Sequence, residues 1–188
     1  MSSRAHGSEV RLAELGVAAL SAVASPRVLI GGLGCGYTLG AALSALSARA
    51  EVRVSELSPA VVAWNRGVLG TLAGNPLNDP RVTVSAVDVI DELERSGPAF
   101  DLILLDVDNG PQALTQARNG WLYERAGLSR LWNTLRPRGV LGVWSAGPDA
   151  AFAARLRAHG FDVNEHRVHA RDARGSKRHT VWMAVRGS

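Results

Sequence analysis

Cysteine and lysine are almost missing from these 188 residues: Cys35 and Lys177 are the only ones. A lone cysteine excludes an internal disulfide and a multi-cysteine metal site, and it suits a reducing compartment. With lysine nearly absent, arginine carries the positive side of a net charge of +4, a pattern closer to the codon bias of a GC-rich genome than to a binding device. Basic residues thicken at Arg167, Arg171, Arg174, Lys177 and Arg178, but no aromatics are interleaved with them. They read as a solvated hairpin loop, and nucleic acid is not an expected partner. His159, His166 and His169 lack carboxylates at ligand spacing, which argues against a metal. No apolar stretch reaches the roughly 20 residues of a membrane span, and no charged segment leads into an apolar signal core. No membrane partner is therefore expected, and the cytoplasm is the expected location. What is present is 46% hydrophobic content without internal repeats, enough for one globular domain with an ordinary core.

The most informative segment is Gly31-Gly32-Leu33-Gly34-Cys35-Gly36, which follows the apolar run Val28-Leu29-Ile30 and precedes a helical stretch. After a buried strand, glycines let the backbone turn sharply and approach a ligand, and the next helix offers unpaired amide donors at its N-terminus. Gly32-x-Gly34-x-Gly36 is shorter than the dinucleotide pattern, whose third glycine would fall at Tyr37. That spacing argues against a pyrophosphate ligand. Cys35, inside the loop, reads as a small packing residue rather than a nucleophile.

Short apolar strands alternate with helical stretches in the order of a doubly wound sheet. Strands are expected at 27–31, 51–56, 81–87, 100–106 and 140–145, with helices at 37–48, from Pro59 behind a Ser58 cap, at 89–95, at 127–135 and from Pro148-Asp149 to Gly160. Arg136-Pro137-Arg138-Gly139 reads as a turn. Strands at 161–170 and 179–185 have only a polar loop between them and must pair antiparallel. The expected fold is thus α/β: a Rossmann-like, doubly wound, seven-stranded mixed sheet of five parallel strands plus a C-terminal antiparallel pair. Residues 26–188 would form this domain, and 1–25 a helical covering segment. Trp64, Trp132, Trp144 and Trp182 fall where core packing is the better account.

Ligands of open α/β sheets bind beyond the carboxyl ends of the strands, and four ends carry chemistry here. The glycine loop ends the first strand. Glu56 ends the second, 20 positions after Gly36, a spacing that suits a carboxylate on ribose hydroxyls. Asp88 ends the third and reads equally as an acceptor for an adenine amino group and as the cap of the helix at Val89; the two roles are compatible. Asp106 ends the near-continuous apolar run Phe100-Asp101-Leu102-Ile103-Leu104-Leu105, where a partly desolvated carboxylate serves as a base or steadies a cation. Asp101 reads as an ordinary polar residue at that strand's start. Beyond Asp106, Asp108 and Asn109 lie in a turn at the mouth of the site, Trp121 is a candidate substrate-lining aromatic, and Tyr123 is either a ligand contact or a packed helix start. His179, among basic residues, reads as solvent-exposed.

The runs at 28–36, Ser55-Glu56-Leu57-Ser58-Pro59-Ala60-Val61, Asp79-Pro80-Arg81-Val82, Val87-Asp88-Val89 and 100–106 together resemble the catalytic domain of the spermidine synthase family, within the class I fold of S-adenosylmethionine-dependent methyltransferases. Short bacterial proteins described as spermidine synthase-like or methyltransferase-like are similar also at Val62-Ala63-Trp64-Asn65-Arg66-Gly67, 105–111 and His179-Thr180-Val181-Trp182. The resemblance implies S-adenosylmethionine or its decarboxylated form as cofactor. Gly32, Gly34 and Gly36 would pass under the cofactor's arm, Glu56 with Leu57 would hold the ribose side, and Asp88 with Val89 the adenine. Asp106 would be the acid that helps deprotonate an attacking amine. Two features depart from the family. Its second acid, three residues after the one matched by Asp106, is Asn109 here, with Asp108 beside it. The family also carries an N-terminal β-domain, whereas about 25 residues precede the first strand in this sequence, and of these His6-Gly7-Ser8-Glu9 would lie over the substrate.

These features lead to a transferase acting on a small-molecule acceptor, with methyl transfer ranked first and aminopropyl transfer from decarboxylated S-adenosylmethionine second. A non-catalytic binding module ranks third. A homodimer is compatible with the resemblance.

Overall fold

The computed structural model describes residues 6–21, 23–107, 110–111, 119–170 and 177–188. Its sheet is built on β1 (Arg27–Gly31), whose Val-Leu-Ile core is fully buried, flanked by β2 (Glu51–Ser55) and β4 (Phe100–Leu105). With β3 (Val82–Ser85), β5 (Leu135–Ser145), β6 (Asp162–His169) and β7 (Arg178–Val185), the strand order is β3-β2-β1-β4-β5-β7-β6. β7 is antiparallel to both neighbours, so β6 runs the same way as the first five strands. The C-terminal antiparallel pair is present, with its last strand inserted between β5 and β6.

Alternation along the strands sends side chains to two cores. Leu102 and Leu104 of β4 join Val28, Ile30, Val140 and Val181 beneath α1 (Gly7–Ala19) and α2 (Tyr37–Ala45). Ile103 and Leu105 join Leu29, Leu141, Phe152 and Trp182 on the other face, with α4 (Val89–Arg95), α6 (Arg125–Thr134) and α7 (Ala150–Ala158). All six residues of β4 are buried, as the near-continuous apolar run requires of a central parallel strand. Leu12 and Ala13 of α1 have no exposed surface, so this helix is part of the core and its N-terminus lies near the strand ends.

Several local expectations need correction. Arg136 to Gly139 belongs to β5 rather than to a turn, because Arg138 adopts φ 63 and the pairing with β4 shifts register between Phe100 and Leu102. Ser58 stands at the N-cap of α3 (Pro59–Arg66) without a side-chain capping bond. Trp64 is 54% exposed, because α3 turns Val62 and Asn65 toward the sheet instead. Asp101 is not an idle strand start: it accepts from the Arg27 amide at 2.8 Å and pairs with Arg136 at 3.0 Å. The Asp79-Pro80-Arg81 run explains itself structurally. Arg81 pairs with Asp79 at 2.8 Å and donates to the carbonyls of Leu43, Leu46 and Ser47 at the end of α2, the place where a cation suits the helix dipole.

Candidate active site

The glycine loop is held where side chains cannot go. Gly32, Gly34 and Gly36 have φ of 87, 52 and 81, the left-handed region that favours glycine. A Cβ on Gly32 would lie 2.4 Å from the carbonyl oxygen of Asp106, so loop and β4 end pack backbone to backbone. The loop is tied to its neighbours by hydrogen bonds from the Gly32 amide to Ser55 and from the Asp106 amide to Gly31, each 2.9 Å. Asn65, which the sequence offered only inside a motif, is buried on α3 and donates to the Gly34 carbonyl at 2.8 Å and the Val61 carbonyl at 2.9 Å. Its sequence signal was an amide one turn beyond Val61 and Val62, on the buried side of an amphipathic helix.

Glu56 is half-buried and braces two elements. Its Oε2 accepts from the Leu33 amide at 2.9 Å and its Oε1 from the Ser58 amide at 2.8 Å. Each oxygen keeps a second lone pair for a ligand. Leu57 beside it is 52% exposed and presents apolar surface at the strand end. Asp88 is buried and accepts from the Ile90 amide at 2.9 Å, which makes it the N-cap of α4; Val89 behind it is buried.

Asp106 sits at the centre. Thr38, in the first turn of α2, donates to its Oδ2 at 2.6 Å. Burial pushes the carboxyl up to about 6, against the Thr38 bond, which lowers it; the charge of Glu9 on α1 adds to the rise. Thr38 carried no sequence signal of this role, because it comes from a helix whose docking is set by the sheet; Glu9 entered only as part of the segment expected over the substrate. Asp108 and Asn109 lie outside the described residues. Tyr123, in α5 (Gly120–Tyr123), is 2% exposed, packs edge-on against Phe152 and has its hydroxyl 3.4 Å from the Val107 carbonyl. Its hydroxyl thus reaches the chain just after Asp106, and its ring lies in the core, as a packed helix start requires. Trp121 is half-buried in the same helix and packs against the core of the α6 and α7 face, not in an open loop.

The segment from His6 to Glu9 packs beside this region, with Glu9 close enough to act on the Asp106 carboxyl. His6 stacks on Tyr37 at 4.1 Å, and Ser8 bonds both Glu9 and His179. His179 is therefore half-buried rather than solvated. A cleft at the opposite, amino-terminal edge of the sheet is lined by Arg27, Arg49, Glu51, Arg53 and Arg81. Three of those guanidinium groups are taken by Glu51, Glu92 and Asp79, and the edge is not where open α/β sheets bind ligands. Among the described residues no group of His, Cys, Asp and Glu is placed to hold a metal ion, and no helix is long and apolar enough to cross a membrane.

No protein-family model matches the chain. It is 35% identical over 152 residues to Polyamine aminopropyltransferase 2 of Pseudomonas aeruginosa, a match that takes 75% of this chain and 41% of that protein. The chain thus spans about two fifths of the length of this curated relative. Among solved structures it resembles spermidine synthase from Thermotoga maritima, with a TM-score of 0.76 at 18% identity over 96% of this chain and 60% of that one. A spermidine synthase in complex with the transition state analogue AdoDATO gives 0.77 at 20% identity over 96% and 61%. Human methyltransferase-like protein 13 in complex with SAH gives 0.64 at 18% identity over 96% and 78%. The chain has the spermidine synthase-like form of the class I S-adenosylmethionine-dependent methyltransferase fold.

Proposed function

We propose that this chain binds an adenosyl sulfonium compound between the glycine loop, Glu56 and Asp106 and transfers an aminopropyl group from it to a small-molecule acceptor. The observation that carries the binding is the glycine cradle: three positive-φ glycines, one in backbone contact with Asp106, flanked by the braced carboxylate of Glu56. The residues present fit such a ligand. Glycines leave room for its arm, Glu56 has spare lone pairs for ribose hydroxyls, and exposed Leu57 offers an apolar surface for the nucleoside. Asp88 and Val89 would meet the adenine, Asp88 through the oxygen side of its cap.

The sequence features alone put methyl transfer first. The relative named as an aminopropyltransferase, and the TM-scores of 0.76 and 0.77 to spermidine synthases against 0.64 for a methyltransferase, favour the other order. Methyl transfer is the second reading, favoured by Asn109 at the position of the family's second acid. The nucleoside product separates the two: methylthioadenosine from decarboxylated S-adenosylmethionine marks aminopropyl transfer, and S-adenosylhomocysteine from S-adenosylmethionine marks methyl transfer.

When bound, the sulfonium supplies an electrophilic carbon and a thioether leaving group. The protein's part is to hold the acceptor in line and take its proton. Asp106 suits that task. A carboxyl pushed up to about 6 is still ionised at neutral pH yet holds a proton better than an ordinary aspartate. Thr38 occupies Oδ2, which leaves Oδ1 to receive the proton.

Two outcomes follow. Thr38→Val removes a bond that favours the ionised carboxylate, so the acidic limb of the rate profile moves to higher pH; activity falls more at pH 6 than at pH 8. Glu56→Gln keeps one acceptor oxygen but leaves one of the two amides unmatched, and the affinity for S-adenosylhomocysteine, measured by calorimetry, falls about tenfold with the chain still folded.

A further inference from the structure

β4, β5 and β7 are neighbours in the sheet, and at its carboxyl edge Asp106 and Trp144, with His179 at the start of the antiparallel β7, share one face. Leu105 pairs with Val143, which sets Asp106 level with Trp144, and Trp144 pairs with Val181, two residues past His179. Leu104, Trp144 and Val181 belong to the core beneath α1 and α2, so period-two alternation puts Asp106 and His179 on that same side. The result is a row, Asp106, Trp144, His179, across about two strand spacings, roughly 10 Å.

Two polar groups in this row have unusual surroundings. Trp144 is 9% exposed, and its indole Nε1 is buried with no hydrogen-bond partner among the described residues. A buried donor left unmatched is costly and calls for an explanation, and a ligand acceptor supplies one here. His179 packs edge-on against this indole at 4.7 Å between ring centroids. Its Nδ1 lies 2.8 Å from the hydroxyl of Ser8, and that hydroxyl is 2.6 Å from Glu9 Oε2. A serine hydroxyl has one proton and a carboxylate only accepts. Ser8 therefore donates to Glu9 and accepts from His179, which fixes the proton on Nδ1 and leaves the Nε2 lone pair available. Burial and Lys177 favour the neutral ring, and Glu9 opposes them.

We propose that Trp144 and His179 hold the distal end of the acceptor, and that this end is a group able both to accept and to donate a hydrogen bond, an alcohol or a carboxamide, rather than the ammonium of a diamine. The indole N–H needs an acceptor and the Nε2 lone pair needs a donor. A hydroxyl supplies both at once. An alkylammonium has three donors and no acceptor, so it leaves the indole unmatched. The inference rests on the reading that the acceptor binds on the Asp106 side of an adenosyl site. Ser8 and Glu9 act as positioning residues, because they touch the acceptor only through His179.

The test is calorimetry on the full chain with saturating methylthioadenosine or S-adenosylhomocysteine, titrating matched ω-amino alcohols and α,ω-diamines of three to six carbons. The expected result is about tenfold tighter binding of the alcohols at the best length, a preference that Trp144→Phe removes. Diamines binding as tightly as the alcohols or more so, or neither series binding to a nucleoside-loaded chain, overturns the proposal. A chain that fails to bind either nucleoside overturns the adenosyl reading instead. Nitrogen-15 NMR of the imidazole gives an independent readout without any acceptor. The Nδ1–H tautomer is expected at neutral pH and is lost in Ser8→Ala; an Nε2–H tautomer or an imidazolium in the unaltered chain contradicts it.

Discussion

Asp106→Asn lowers the turnover number by about 10²- to 10⁴-fold, the usual contribution of a positioned proton acceptor, and leaves the protein folded. The amide is nearly isosteric and its oxygen still accepts from Thr38, so packing at the end of β4 is unchanged. Only the ability to take a proton is lost. The same substitution is expected to raise stability. The native carboxyl titrates at about 6, above the ordinary 3.8, so between those values the native state keeps a proton that the unfolded chain has released. Stability therefore falls as pH rises through that window, and the full cost of the buried charge is present above it. Asparagine carries no such cost. Melting temperatures at pH 7.5 should be higher for Asp106→Asn than for the unaltered chain, and the difference should close as pH falls below about 4. Activity of the unaltered protein runs the opposite way, rising with pH through about 6 as the base is freed. A variant that is both inactive and less stable at pH 7.5 would mean that Asp106 is a structural carboxylate.

Gly32→Ala has the second largest expected effect. Its φ of 87 is strained for any L-residue, by about 1–2 kcal/mol, and the added methyl would stand 2.4 Å from the Asp106 carbonyl oxygen. Backbone lies on both sides of that contact, so relief requires the glycine loop to move away from β4. The variant is expected to fold with a lowered melting temperature and to lose binding of whichever nucleoside the unaltered chain takes, methylthioadenosine or S-adenosylhomocysteine, by about 100-fold or more, since loop and base no longer share one site. Gly74→Ala is the matched control. It has a φ of 75 but nothing within 4 Å of the added carbon, so it bears the backbone strain alone and keeps its ligand affinity.

Much of this architecture was legible because its signals are local. The Val-Leu-Ile run before the glycines, the buried run before Asp106 and the short polar connection at 171–178 each dictate their element within a few residues. The position of Asp88 ahead of Val89 announced a helix cap, and the cap is there. What stayed hidden depends on contacts between distant segments. Arg138 adopts φ 63 inside β5 because the strand bulges against Phe100, so its Pro-Gly surroundings looked like a turn. Trp64 faces solvent because α3 uses Val62 and Asn65 for docking. Tyr123 reaches the core only once α5 lies beside Phe152. His179 meets Ser8 across 171 positions, a contact created by inserting β7 next to β5 and laying α1 across both. The acids at the strand ends could be read from the sequence; the groups that tune and surround them could not.

The most direct test of the account is a calorimetric titration of the purified chain with S-adenosylhomocysteine and with methylthioadenosine, beside Gly32→Ala. Saturable one-site binding of at least one of these nucleosides is expected, lost in Gly32→Ala and retained in Gly74→Ala. Absence of binding to both by the folded, unaltered chain would contradict it.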